Sequence, residues 1–169
     1  MENRALPRRV LIRFAVAAAA LLPACGCHRG GEAGALRAGE PAPGALPRAE
    51  TQLVWLIGVE DGLACAAPAR ELRALKSRLG ARMQLTVVVV GDSDGLIEGV
   101  IRRERLDASL LQMDRDTYRE QFRRTPVPAL VLVRRGRVAK VWSYSANARL
   151  AGEAPGETVG DVLDRLLRT

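Results

Sequence analysis

From Thr51 onward the apolar residues fall into two kinds of block, short unbroken runs and spaced repeats. Gln52–Val59 (QLVWLIGV) and Met83–Val90 (MQLTVVVV) are β-rich runs long enough for one buried strand each and too short for a helix. The valine run of the second predicts a strand covered on both faces, as in the middle of an α/β sheet. Between them the period changes. From Cys65, Leu72, Leu75 and Leu79 recur three and four apart, with Arg70, Arg73, Lys76 and Arg78 in the gaps. That spacing predicts an amphipathic helix, and Gly80 stops it.

The same reading continues to the C-terminus. Gly91–Gly95 is a turn, and Leu96, Ile97, Val100 and Ile101 predict a second helix. A short strand at Ser109–Met113 leads through Asp114 to a helix near Thr117–Arg124. Thr125-Pro126-Val127-Pro128 ends everything helical, because proline lacks the donor and disfavours helix in the residue before it. Ala129–Val133 and Val138–Tyr144 read as a β-hairpin around Arg134-Arg135-Gly136-Arg137. After a polar loop over Ser145–Glu157, Thr158-x-x-Asp161 has the spacing of a capping box before a last apolar-faced helix. Parallel units first and a hairpin with a helix last predict an α/β domain, a central mixed sheet with flanking helices.

The N-terminal third is patterned differently. Arg8, Arg9 and Arg13 precede the apolar run Phe14–Leu22, which meets Pro23-Ala24-Cys25. A basic start, a short apolar stretch and a small residue before the cut are the parts of a secretory signal. The run is far short of the ~20 residues of a spanning helix. Leu22-Pro23-Ala24-Cys25 also resembles the lipobox of bacterial lipoproteins, which implies a lipid on Cys25. Residues 26–50 carry six Gly, three Pro and six Ala without periodicity. Such a stretch is expected to bury almost nothing and to stay a flexible arm. The expected organisation is a lipoprotein-type signal peptide over 1–24, a tether over 25–50 and one folded domain over 51–169.

Charge changes this picture little. The chain of 169 residues carries 26 basic and 19 acidic side chains, a net +7. Arg4, Arg8, Arg9 and Arg13 against Glu2 account for three of those charges, leaving a mild, dispersed +4. No nucleic-acid partner is expected. Cys25-Gly26-Cys27-His28 is one residue short of a haem-attachment motif. A zinc site would need a second Cys/His pair, and His28 is the only histidine. No metal and no cofactor are expected.

Cys65 is the remaining candidate for chemistry. At a helix start it would face unpaired backbone N–H groups and the positive end of the helix dipole, which favour the thiolate. Glu60 and Asp61 act the other way if they lie close. Beside Cys65-Ala66-Ala67-Pro68-Ala69-Arg70-Glu71-Leu72 stands the C-x-x-C-x-x-E-L of envelope-bound thiol–disulfide proteins. With Thr125-Pro126-Val127-Pro128 entering a strand, and the order of elements over 52–169, the chain resembles the thioredoxin-like fold and, within it, the TlpA/ResA and redoxin type.

The resemblance implies a three-layer domain with Cys65 as the reactive thiol. It further implies a cis Val127–Pro128 bond packed against that thiol, with Val127 pairing to a substrate chain. Protein thiols or disulfides of the cell envelope would be the partners, met at the periplasmic face of a bacterial membrane. The second cysteine of the family falls at Pro68, so the domain has no resolving thiol of its own. Cys27 would be the only partner for Cys65 within the chain. Two functions follow as expectations: thiol–disulfide exchange through one cysteine, or a redox-inactive binding module for another envelope protein. The P-x-x-x-T-x-x-C context of one-cysteine peroxidases is absent.

Overall fold

A computed structural model describes residues 34–92, 95–143 and 158–168. The expected signal segment, Cys25, Cys27 and the loop over 145–157 lie outside the described residues. Five strands form one sheet: β1 (Thr51–Gly58), β2 (Gln84–Val90), β3 (Ser109–Met113), β4 (Ala129–Arg134) and β5 (Arg137–Ser143), in the order β3-β2-β1-β4-β5. β1 runs parallel to β2, and β2 to β3, whereas β4 is antiparallel to both β1 and β5. The sheet is mixed, as the order of runs predicts. A buried cross-strand bond from Gln52 Nε2 to Thr86 Oγ1 (2.7 Å) satisfies the polar pair inside it.

The strands alternate sides and so divide the core in two. Leu53, Trp55, Ile57, Leu85, Val87, Val89, Leu130 and Leu132 face α1 (Ala66–Leu79), α2 (Leu96–Arg103) and α4 (Val159–Leu167). Val54, Leu56, Val88, Val90, Val131 and Val133 face the other way, onto α3 (Arg115–Phe122). The valine run is buried on both sides because both layers exist. Trp55 and Trp142 are core residues of the first layer. α4 opens with the expected box: Thr158 N–H donates to Asp161 Oδ2 (2.9 Å) and Asp161 N–H to Thr158 Oγ1 (3.2 Å). α3 begins two residues earlier than its apolar spacing predicts. Asp114 caps it by accepting from Asp116 N–H (2.9 Å) and Thr117 N–H (2.8 Å). Those bonds hold the Asp114 carboxyl below the usual carboxylate range.

The expected flexible arm over 25–50 is corrected in its described part. Residues 34–50 lie on the domain and complete the second layer, with Leu36 and Leu46 buried against Val54, Phe122 and Val133. Ala35 bridges to Arg123 and Pro41 to Arg137, while Gly39 N–H donates to Val138 O (2.8 Å) and Val138 N–H to Glu40 O (2.8 Å). Two isolated leucines produce no periodicity, so the segment reads as a linker. Its order comes from a sheet face that α3 leaves uncovered. Leu36→Ala is therefore expected to cost about 2–3 kcal/mol, as at a core site. Chemical denaturation checks this, and an unchanged midpoint would mean the segment is detached.

Candidate functional site

The end of β1 and the start of α1 build the site around Cys65. Gly58 leads into a 3-10 helix over Val59–Cys65, and this turn runs directly into α1. Asp61 fixes the turn, its carboxylate accepting from Gly58 N–H (3.1 Å). The Cys65 thiol donates back to Asp61 O (3.2 Å). Its residue is only 3% exposed and belongs to the first core layer, with Ala69 and Leu72 of α1.

This geometry overturns the expected electrostatics. The 3-10 turn occupies the approach to α1, and the sulfur acts as a donor to a carbonyl instead of receiving helix amides. Burial, and then the negative charge of Asp61, push the thiol up from 9.0 to about 12. Asp61 acts as its position in the sequence predicts. Glu60 instead points outward, 3.7 Å from Arg115. Below pH 9 Cys65 is a thiol, not a thiolate.

Pro128 comes to the same place from β4. The Val127–Pro128 bond is cis. Cys65, Pro68 and Pro128 line one narrow cleft with Trp55, Ile57, Asp61 and Ala64, too tight to admit a water molecule. Pro68 is buried in the first turn of α1, where its missing N–H costs little. Val127 is half-buried and packs on the second layer, so the two binding residues named from the sequence look onto different sides of the sheet. The loop before them is tied down from three directions. Thr125 Oγ1 donates to Phe122 O (2.6 Å) and accepts from Leu36 N–H (3.1 Å), and Tyr118 Oη donates to Thr125 O (2.8 Å).

No protein-family profile and no curated protein sequence matches the chain. Solved structures do. One is a thioredoxin-like protein in its oxidised form, with a TM-score of 0.55 and 14% identity over 76% of this chain and 95% of that one. Another is a thiol:disulfide interchange protein of the thioredoxin family from Chlorobium tepidum TLS, with a TM-score of 0.53 and 11% identity over 78% and 95%. A third is a secreted Mycobacterium tuberculosis disulfide oxidoreductase, with a TM-score of 0.50 and 13% identity over 70% and 81%.

The fold is thioredoxin-like. In this thioredoxin-like domain Cys65 is the sole cysteine among the described residues, and Pro68 stands where the resemblance puts a second. Among the same residues no group of three His, Cys, Asp or Glu side chains is placed to hold a metal ion.

Sequence reasoning missed one feature of the thioredoxin-like domain. Arg115, Arg119, Arg123 and Arg124 gather at a second cleft beside Thr125 and Val127. The four-residue spacing of the first three is a legible signal, lost among the chain's many other arginines.

Proposed function

We propose that this chain is an exported, lipid-anchored protein of a bacterial cell envelope whose thioredoxin-like domain binds another envelope protein. Thiol–disulfide exchange at Cys65 is suppressed. The observation that carries this reading is the burial of Cys65 in a cleft too small for water, with its thiol hydrogen-bonded to Asp61 O and pushed up to about 12. Such a sulfur is neither accessible nor ionised at neutral pH, so it offers no nucleophile. The binding surface of this reading is the loop around Val127 and Pro128, which Thr125 and Tyr118 hold rigid. Export and a lipid on Cys25 rest on the basic start, the apolar run and the lipobox-like residues 22–25. One of the similar structures is of a secreted protein, which agrees with export. A lipid holds the domain at a membrane surface because its chains partition into the bilayer.

Single-cysteine exchange is the second reading, favoured by Cys65 and Pro128 sharing one cleft. It needs the 3-10 turn over 59–65 to open. The Cys65 thiolate would then attack one sulfur of a client disulfide, and the other client sulfur would leave as thiolate. An external thiol would have to release Cys65, because the domain carries no second cysteine.

Reduction of insulin disulfides by the full chain and by Cys65→Ser, with glutathione as the reductant, separates the two readings. The binding reading expects rates within about twofold of each other, since no transition-state interaction is lost. A parent rate about tenfold or more above Cys65→Ser would replace it with single-cysteine exchange. Intact mass of the protein in the membrane fraction tests the anchor. A chain that starts at Cys25 and carries acyl groups is expected, whereas an unmodified chain cut elsewhere would remove it.

A further inference from the structure

On the sheet face opposite Cys65, a cleft of about 890 Å³ opens between Gly34, α3 and the Thr125–Val127 loop. Val90, Tyr118 and Val127 give it an apolar floor, and four arginines stand around it against one acid, Glu60. Helical geometry explains the convergence. Arg115 and Arg119 are one turn apart on α3, and Arg123 continues the series as the residue that ends the helix. Arg123 adopts φ 58° and ψ −132°, a strained backbone conformation for a residue with a side chain. Arg124 then lies against Gly34, its Cδ 3.7 Å from where a glycine Cβ would be.

The charges here are weakly committed. Arg115 meets Glu60 at 3.7 Å with both side chains more than half exposed, and Arg119 meets Asp116 at 3.1 Å on the open surface. Exposed pairs of this kind contribute little because water and salt screen them, so an incoming carboxylate can replace them. Arg123 is held more firmly by Glu40 at 2.8 Å. Arg124 has no ion pair and no side-chain hydrogen bond among the described residues. Guanidinium groups around an apolar floor match a chain with carboxylates on either side of an apolar side chain. A flat anionic surface would leave Tyr118 and Val127 unused.

We propose that this cleft receives an extended acidic segment of the partner protein, with carboxylates on Arg115, Arg119 and Arg124 and an apolar side chain against Tyr118 and Val127. The assignment rests on the reading of the Val127–Pro128 loop as a binding surface, and it names the chemical class of what binds there.

The test is titration of the full chain with a short peptide of glutamates interrupted by leucine, followed by fluorescence anisotropy and by the amide resonances of Tyr118 and Val127. Saturable binding that shifts both resonances is expected. Arg119→Glu with Arg124→Glu should weaken it about tenfold or more, as loss of charge-assisted bonds does. Arg102→Glu with Arg103→Glu, an equal charge change on exposed positions of α2, should leave affinity within about twofold, because distant charges are screened. Equal weakening by both pairs would overturn the site in favour of diffuse attraction. Binding to phosphatidylglycerol vesicles without binding to the peptide would overturn it in favour of a lipid surface. A glutamine-for-glutamate peptide that shifts Val127 equally well would overturn the acidic class alone and keep the loop as a binding surface. Failure of both peptides to shift Val127 would remove both.

Discussion

Alkylation of Cys65 by iodoacetamide at pH 7 is expected to run about three orders of magnitude slower in the folded protein than in the same chain unfolded in urea. The reagent consumes thiolate. The rise of the thiol from 9.0 to about 12 removes that species from the folded state. Quenched time points read by peptide mass spectrometry separate Cys65 from Cys25 and Cys27. The folded rate should climb tenfold per pH unit through neutral pH with no plateau below pH 9, since each unit adds tenfold thiolate. A fast reaction at pH 6 would show a depressed pKa and remove the suppressed-thiol reading. The same ionisation acts on stability. The folded state keeps its proton to a higher pH than the unfolded state, so stability is full below pH 9 and falls as pH rises from there toward 12. A midpoint of denaturation that rises between pH 9 and 11 would contradict the burial.

Phe122→Ala is expected to cost about 3–5 kcal/mol, a large share of the stability of an ordinary domain. Phe122 is fully buried and stacks on Tyr118, with ring centroids 5.2 Å apart and planes at 12°. It lies in one core layer with Leu36 and Leu46, and its carbonyl accepts from Thr125 Oγ1. The cavity left by its ring would sit beneath α3, the 34–50 segment and the binding loop together. Urea denaturation followed by tryptophan fluorescence measures the loss. A cost below about 1 kcal/mol would mean that the second layer is loosely packed. The arginine cleft should lose peptide binding in the same variant, because Tyr118 forms part of its floor.

Much of the fold was legible in the sequence. Leu72, Leu75 and Leu79 predict α1, and the valine run predicts a strand between two layers. Thr158 and Asp161 mark the start of α4 three residues apart. These signals are local and repeat, so the period of the chain carries them. Leu36 and Leu46 carry no such signal. Each is a single apolar residue among Gly, Ala and Pro, and what buries them is a surface formed by residues far along the chain.

The site divides in the same way. The residue types, the spacing from Cys65 to Pro68 and the proline pair after Thr125 stand in the sequence, and with them the likeness to thiol–disulfide proteins and the absence of a resolving thiol. The state of Cys65 does not. A cysteine at a helix start reads as activated, because the amides of one helix are a local property. The carbonyl of Asp61 behind it and the closed walls from β1 and Pro128 belong to the packed molecule, and desolvation there outweighs the helix amides. The convergence of Arg119 and Arg124 on one cleft follows from the turn at Arg123 and the return of the chain at Gly34. Periodicity determined which elements form and which faces are apolar. Only tertiary packing decided what those faces cover, and therefore which side chains are charged, sealed or free to meet a partner.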